Sequence, residues 1–164
     1  CGIKSQTIEM ANSKLVSFEL SHFYPNIELQ KFWEFFVDHR WYSQSQIMAG
    51  EVVVVKEGKD HPQGLGTVRK ILIGDINLTE DIVGFDPPNY FSYAVHEGGM
   101  PVNKYQGEFF YESKNGGMLW KYKGSFEPKY FGTGWFFKWF LKSRMKSQLP
   151  VWQKGYNAYH NVNV

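Results

Sequence analysis

The stretch FGTGWFFKWFLKSRMKSQLPVWQKGYNAYH, residues Phe131 to His160, decides the fold. Phe137, Leu141, Met145, Leu149, Trp152, Tyr156 and Tyr159 recur at steps of four and three, which sets them on one stripe of a helix. Trp135, Phe136, Trp139 and Phe140 form a second rank, expected to widen that stripe near its start. A helix with so broad an apolar side needs a surface to lie on. Pro150 falls inside it and is expected to kink or split it. Gly132 and Gly134 are expected to give its start freedom to move.

The surface comes from the chain just before. Asn103, Tyr105, Gly107, Phe109 and Tyr111 alternate with mostly charged neighbours, and so do Met118, Trp120, Tyr122, Gly124 and Phe126 after the Asn115-Gly116-Gly117 turn. That is a pair of antiparallel strands with one covered and one wet face. Further back, strands are expected at Lys14–His22, Gly50–Glu57, Thr67–Ile73, Ile76–Phe85 and Tyr90–His96. Gly74-Asp75 reads as a hairpin turn. Pro25-Asn26 ends the first strand, and Asn26 is expected to cap a helix with Leu29, Phe32, Trp33 and Phe36 on its apolar face. A second short helix is expected within Asp38–Gln46. The fold class is therefore α+β: a seven-stranded antiparallel sheet curled around a long C-terminal helix, with two short helices between strands one and two.

Composition narrows the function. The chain of 164 residues suits one domain, expected over 14–164, with residues 1–13 an extension outside the fold and Met10 a candidate start. Aromatics make up 18% of the residues, and aromatics line apolar cavities as well as filling cores. A net charge of +2 gives no argument for nucleic acid. One cysteine, Cys1, excludes an internal disulfide and suits a reducing, cytoplasmic setting. No apolar run reaches the length of a membrane span. His39, His61, His96 and His160 lack metal-ligand spacing, and neither a phosphate-binding glycine loop nor a nucleophile motif is present. No metal and no cofactor are expected.

Gly64-Leu65-Gly66-Thr67-Val68-Arg69, Leu78-Thr79-Glu80, Asp86-Pro87-Pro88, Tyr93, Pro101 and Tyr105 follow one another in the order G-x-G-x-x-R, E, D-x-P, Y, P, Y. This resembles the polyketide cyclase/dehydrase-like branch of the START-like, or SRPBCC, superfamily, over residues 14–162. The resemblance implies a helix-grip fold with an apolar cavity between sheet and final helix, and binding of a hydrophobic small molecule or lipid there. Alternation sets Arg69 with Ile71 and Ile73, and Glu80 with Leu78 and Ile82. If those faces look into the cavity, the two charges must pair, because an isolated buried carboxylate is costly.

The resulting candidate ligand-binding set is Arg69, Glu80, Tyr93, Tyr105 and His22, with Phe109, Trp120, Phe137 and Leu141 as apolar walls. Two functions stay open. One is a carrier of a hydrophobic molecule. The other is a cyclase- or dehydratase-like enzyme using Glu80, Arg69 and tyrosines for acid–base work. No catalytic residue is assigned. Residues 135–146 carry aromatics on one side and Lys138, Lys142, Arg144 and Lys146 on the other. A sheet-covering helix shows this pattern, and so does a helix in transient contact with a membrane surface.

Overall fold

Period-two alternation builds seven strands in the computed structural model, which describes residues 15–38, 41, 50–73, 76–98 and 100–161. They are β1 (Val16–Tyr24), β2 (Glu51–Lys56), β3 (Val68–Ile73), β4 (Ile76–Asp86), β5 (Tyr90–Gly98), β6 (Val102–Lys114) and β7 (Gly117–Pro128). All neighbours pair antiparallel in the order β1-β7-β6-β5-β4-β3-β2. The chain therefore meanders from β2 to β7 and closes by laying β7 beside β1. The expected hairpin turn at Gly74-Asp75 lies outside the described residues.

Two helices complete the described fold: α1 (Leu29–Val37) and α2 (Gly134–Tyr159). α1 starts at Leu29 with Glu28 in the cap position, not Asn26, which stands in the turn after β1. The second short helix expected within Asp38–Gln46 falls outside the described residues, apart from Asp38 and Trp41.

The core is an aromatic layer between the sheet and both helices. α1 buries Leu29, Phe32, Trp33, Phe35 and Phe36. Phe36 sets its ring edge-on to Phe91 and Phe109, each at 5.2 Å. α2 buries Trp152 and Tyr156 most deeply, and Trp152 meets Trp120 at 5.4 Å and Phe109 at 5.8 Å. Hydrogen bonds then tie the end of α2 to α1. Tyr159 donates to Asp38 Oδ2 (3.0 Å), the Glu28 amide donates to Tyr156 Oη (3.4 Å), and His160 Nε2 bonds the Lys31 carbonyl (2.8 Å).

Glycines in the covered face make room for rings. Gly107 pairs with Tyr93 on β5 and Gly124 on β7. A Cβ on Gly107 would stand 2.6 Å from the Tyr93 ring and Tyr122 Oη, and one on Gly124 would stand 2.4 Å from the Phe18 ring. A side chain at Gly107 would displace the tyrosines described below, and one at Gly124 would displace Phe18.

Three expectations for α2 are corrected. It runs unbroken through Pro150, so the proline does not split it. Pro150 is exposed, and Tyr24 Oη donates to the Leu149 carbonyl at 2.8 Å just before it. Burial of Trp152 and Tyr156 beyond it holds the helix over the one backbone bond that proline removes. Gly134 is packed rather than free, since a Cβ there would lie 3.0 Å from Val16 and 3.1 Å from Pro128. The second aromatic rank, Trp135, Phe136, Trp139 and Phe140, does not widen the sheet-facing stripe; all four are exposed. The stripe itself holds, with Phe137, Leu141, Met145, Leu149 and Tyr159 packed against the core.

Candidate functional site

The sheet and the middle of α2 do not meet everywhere. Between them lies a cavity of about 330 Å³. Its apolar walls are Ile71, Leu78, Val95 and Phe109 from the sheet, Phe36 from α1, and Leu141, Met145 and Trp152 from α2. Glu51, Arg144 and Gln148 supply a polar rim.

One part of the wall is charged. Arg69 and Glu80 are directly opposite in the β3–β4 ladder, and Arg69 Nε donates to Glu80 Oε1. Their side chains keep only 12% and 5% of their surface exposed. The guanidinium also lies over the Phe91 ring at 5.2 Å, where the ring face attracts a cation. The loop before β3 explains how Arg69 is aimed. A Cβ on Gly64 would stand 2.9 Å from His61 Cβ and 3.2 Å from the Phe85 ring, and Gly66 takes a left-handed φ of 84°. Thr67, fully buried, donates from Oγ1 to the Pro62 carbonyl (3.2 Å), and its own carbonyl accepts from the Ile82 amide (2.9 Å). The loop is thus clipped to β4 two residues ahead of Arg69.

Beside the ion pair stand three tyrosines. Tyr122 Oη hydrogen-bonds Tyr93 Oη at 3.0 Å and also Tyr105 Oη. Burial raises all three phenol pKa values, Tyr105 to about 12 and Tyr93 and Tyr122 well above their ordinary range. For Tyr93 the neighbouring Tyr105 and Glu80 add to the rise. The cluster is therefore neutral at physiological pH and suited to hydrogen-bonding a carbonyl or hydroxyl.

A pH dependence follows. Unfolded phenols titrate near 10.0, before the buried ones, so above that pH the unfolded state binds fewer protons. Stability from the cluster is fully present below pH 10.0, and the part that Tyr105 contributes is lost as pH rises through about 12. Thermal unfolding followed with tyrosinate absorbance checks this: the buried phenols should ionise only as the fold is lost. Full ionisation near the ordinary phenol pKa in an intact fold would show the cluster to be wet.

Of the sequence-derived set, Arg69, Glu80, Tyr93, Tyr105, Phe109 and Leu141 line the cavity. Three do not. Trp120 is fully buried behind Trp152, its Nε1 without a hydrogen-bond partner among the described residues. Phe137 packs on the core a turn ahead of the cavity wall. His22 is exposed, its ring edge against Tyr24 at 4.6 Å; β1 is a sheet edge, so a covered-face side chain there has a neighbouring strand on one side only. Met145 and Trp152, which line the cavity, and Tyr122, which hydrogen-bonds the lining Tyr93 and Tyr105, were missed. All three sat on the covered face or the helical stripe, and nothing in the spacing separates a lining residue from a filled core position.

No protein-family model matches the chain. No curated protein matches it either. Solved structures do, among them the crystal structure of Ara h 8.0201, at 21% identity and a TM-score of 0.69 over 91% of this chain and 99% of that one. Likeness at that identity speaks for architecture alone. The chain has the helix-grip fold: a seven-stranded antiparallel sheet with a long C-terminal helix.

Proposed function

We propose that the protein binds a hydrophobic small molecule or lipid in this cavity, with the ligand's polar end against the tyrosines. The observation that carries the reading is the wall itself: apolar on most sides, with uncharged phenols and a closed ion pair gathered at one place. Small-molecule sites have this make-up, and their volumes start at about 300 Å³. The order of motif residues from Gly64 to Tyr105 supports a likeness to the cyclase/dehydrase-like branch.

The same cluster supports a second reading, an enzyme with Glu80 as proton acceptor and a tyrosine holding a carbonyl or enol oxygen. Glu80 is already committed to Arg69, which favours the carrier. The two are separated by Glu80→Gln: an enzyme loses turnover of its bound ligand while keeping affinity, and a carrier shows no turnover to lose.

Binding is tested by titrating a fluorescent long-chain alcohol and a hydrocarbon probe of equal length. Tyr93→Phe should weaken the alcohol about three- to tenfold, the worth of one hydrogen bond, and leave the hydrocarbon unchanged. If neither probe binds the wild-type protein, the reading is wrong. Equal affinity of the alcohol for both proteins removes the tyrosine's role.

A further inference from the structure

We infer that the outward face of the first half of α2, with the turn before it, docks the protein onto an anionic lipid bilayer. Tyr130, Phe131, Trp135 and Trp139 are 70%, 107%, 74% and 61% exposed. Phe136 joins them, its ring 6.2 Å from both Trp135 and Trp139. An aromatic patch this continuous marks an interaction surface rather than ordinary surface scatter. It is not core left unfilled, because the opposite side of the same helix already packs on the sheet through Phe137, Leu141 and Met145.

Charge identifies the occupant. All sixteen acidic residues of the chain lie at or before Glu127, whereas six of its eighteen basic residues follow. The net charge of +2 conceals this division. At 100° per residue, Lys138 and Lys142 flank one edge of the aromatic face and Arg144 the other, while Lys146 falls in line with Trp135 and Trp139. All four are exposed, and none makes an ion pair among the described residues. Protein interfaces are depleted in lysine. Tryptophan and phenylalanine between lysines is instead the make-up of a helix lying in a membrane interface, where rings sit at headgroup depth and lysines meet anionic lipid. No described helix is long and apolar enough to cross a bilayer, so α2 lies on it.

The placement also bears on the cavity. Leu141, Met145 and Arg144 line it from the same helix that carries the patch. A docked protein holds that wall beside the lipid, and a ligand dissolved in the membrane passes into the cavity without crossing water. This consequence rests on the binding function proposed above; the docking does not.

The test is co-sedimentation of the full chain with vesicles of phosphatidylcholine alone or mixed with phosphatidylserine. Binding should be about tenfold or more stronger to the mixed vesicles and should weaken with added salt. Trp135→Ala/Trp139→Ala should abolish it while leaving alcohol-probe binding intact. Lys138→Gln/Lys142→Gln/Lys146→Gln should remove the preference for phosphatidylserine. Met145→Trp, which fills the cavity, should lose the probe and keep the vesicles, so failure of docking and failure of ligand binding are told apart. Absence of binding to mixed vesicles overturns the inference. So does a dimer in sedimentation velocity that Trp135→Ala/Trp139→Ala dissolves, since the patch would then belong to a second copy.

Discussion

Replacing Arg69 with alanine should destabilise the fold by about 3–5 kcal/mol, the cost of leaving one partner of a buried ion pair uncompensated. Glu80 is 4% exposed, and Arg69 is its cross-strand neighbour and ion-pair partner. Alanine removes the charge and the guanidinium's cover over Phe91. The pair as such is a weaker source of stability than that loss suggests, because desolvation of both ions offsets their attraction. The double variant Arg69→Met/Glu80→Leu should therefore be markedly less destabilised than Arg69→Ala alone. Urea unfolding of the three proteins measures both effects. A loss below about 1 kcal/mol in Arg69→Ala, the range of exposed pairs, would mean that water reaches Glu80.

Phe109→Ala should cost a similar amount, about 3–5 kcal/mol, for a different reason. Phe109 lines the cavity and touches every layer. It meets Phe36 of α1 at 5.2 Å, Trp152 of α2 at 5.8 Å and Tyr122 of β7 at 4.9 Å. Deleting it removes buried apolar surface and leaves neighbours held by separate elements, which cannot all collapse inward. Because the ring borders the cavity, the lost volume should join it. The variant should accept a probe one ring bulkier than any that binds the wild type. A change in stability below about 1 kcal/mol would place Phe109 in a site that can relax, against its contacts with both helices.

Much of the fold was legible because one face of the sheet is wet. Residues 105–111 and 118–126 alternate so regularly that the covered face follows from the sequence, whereas Asn103, expected on that face, is exposed because the strand bulges between Asn103 and Gln106, with Lys104 at a φ of 51°. Arg69 and Glu80 were legible as a pair because two charges on covered faces have few other solutions. The outward aromatics of α2 were not. Periodicity records that Trp135, Phe136, Trp139 and Phe140 share a side, and an apolar side facing membrane reads the same as one facing a sheet. Pro150 does not split the helix, an outcome local propensity leaves open because it ignores the anchors on either side, Tyr24 to Leu149 before and Trp152 after. His22 misled because alternation sets a face and not a distance from the edge of the sheet. Tyr122 escaped notice because its role depends on Tyr93 and Tyr105 converging from two other strands.

The central claim is that the space between the sheet and α2 holds a ligand. Native mass spectrometry of the purified chain, before and after solvent extraction, tests it most directly. The purified chain should contain a population heavier than the bare chain by one small apolar molecule, released on extraction and restored by adding it back, with Met145→Trp blocking the return. A chain that carries nothing and takes up no long-chain alcohol offered in excess would contradict it.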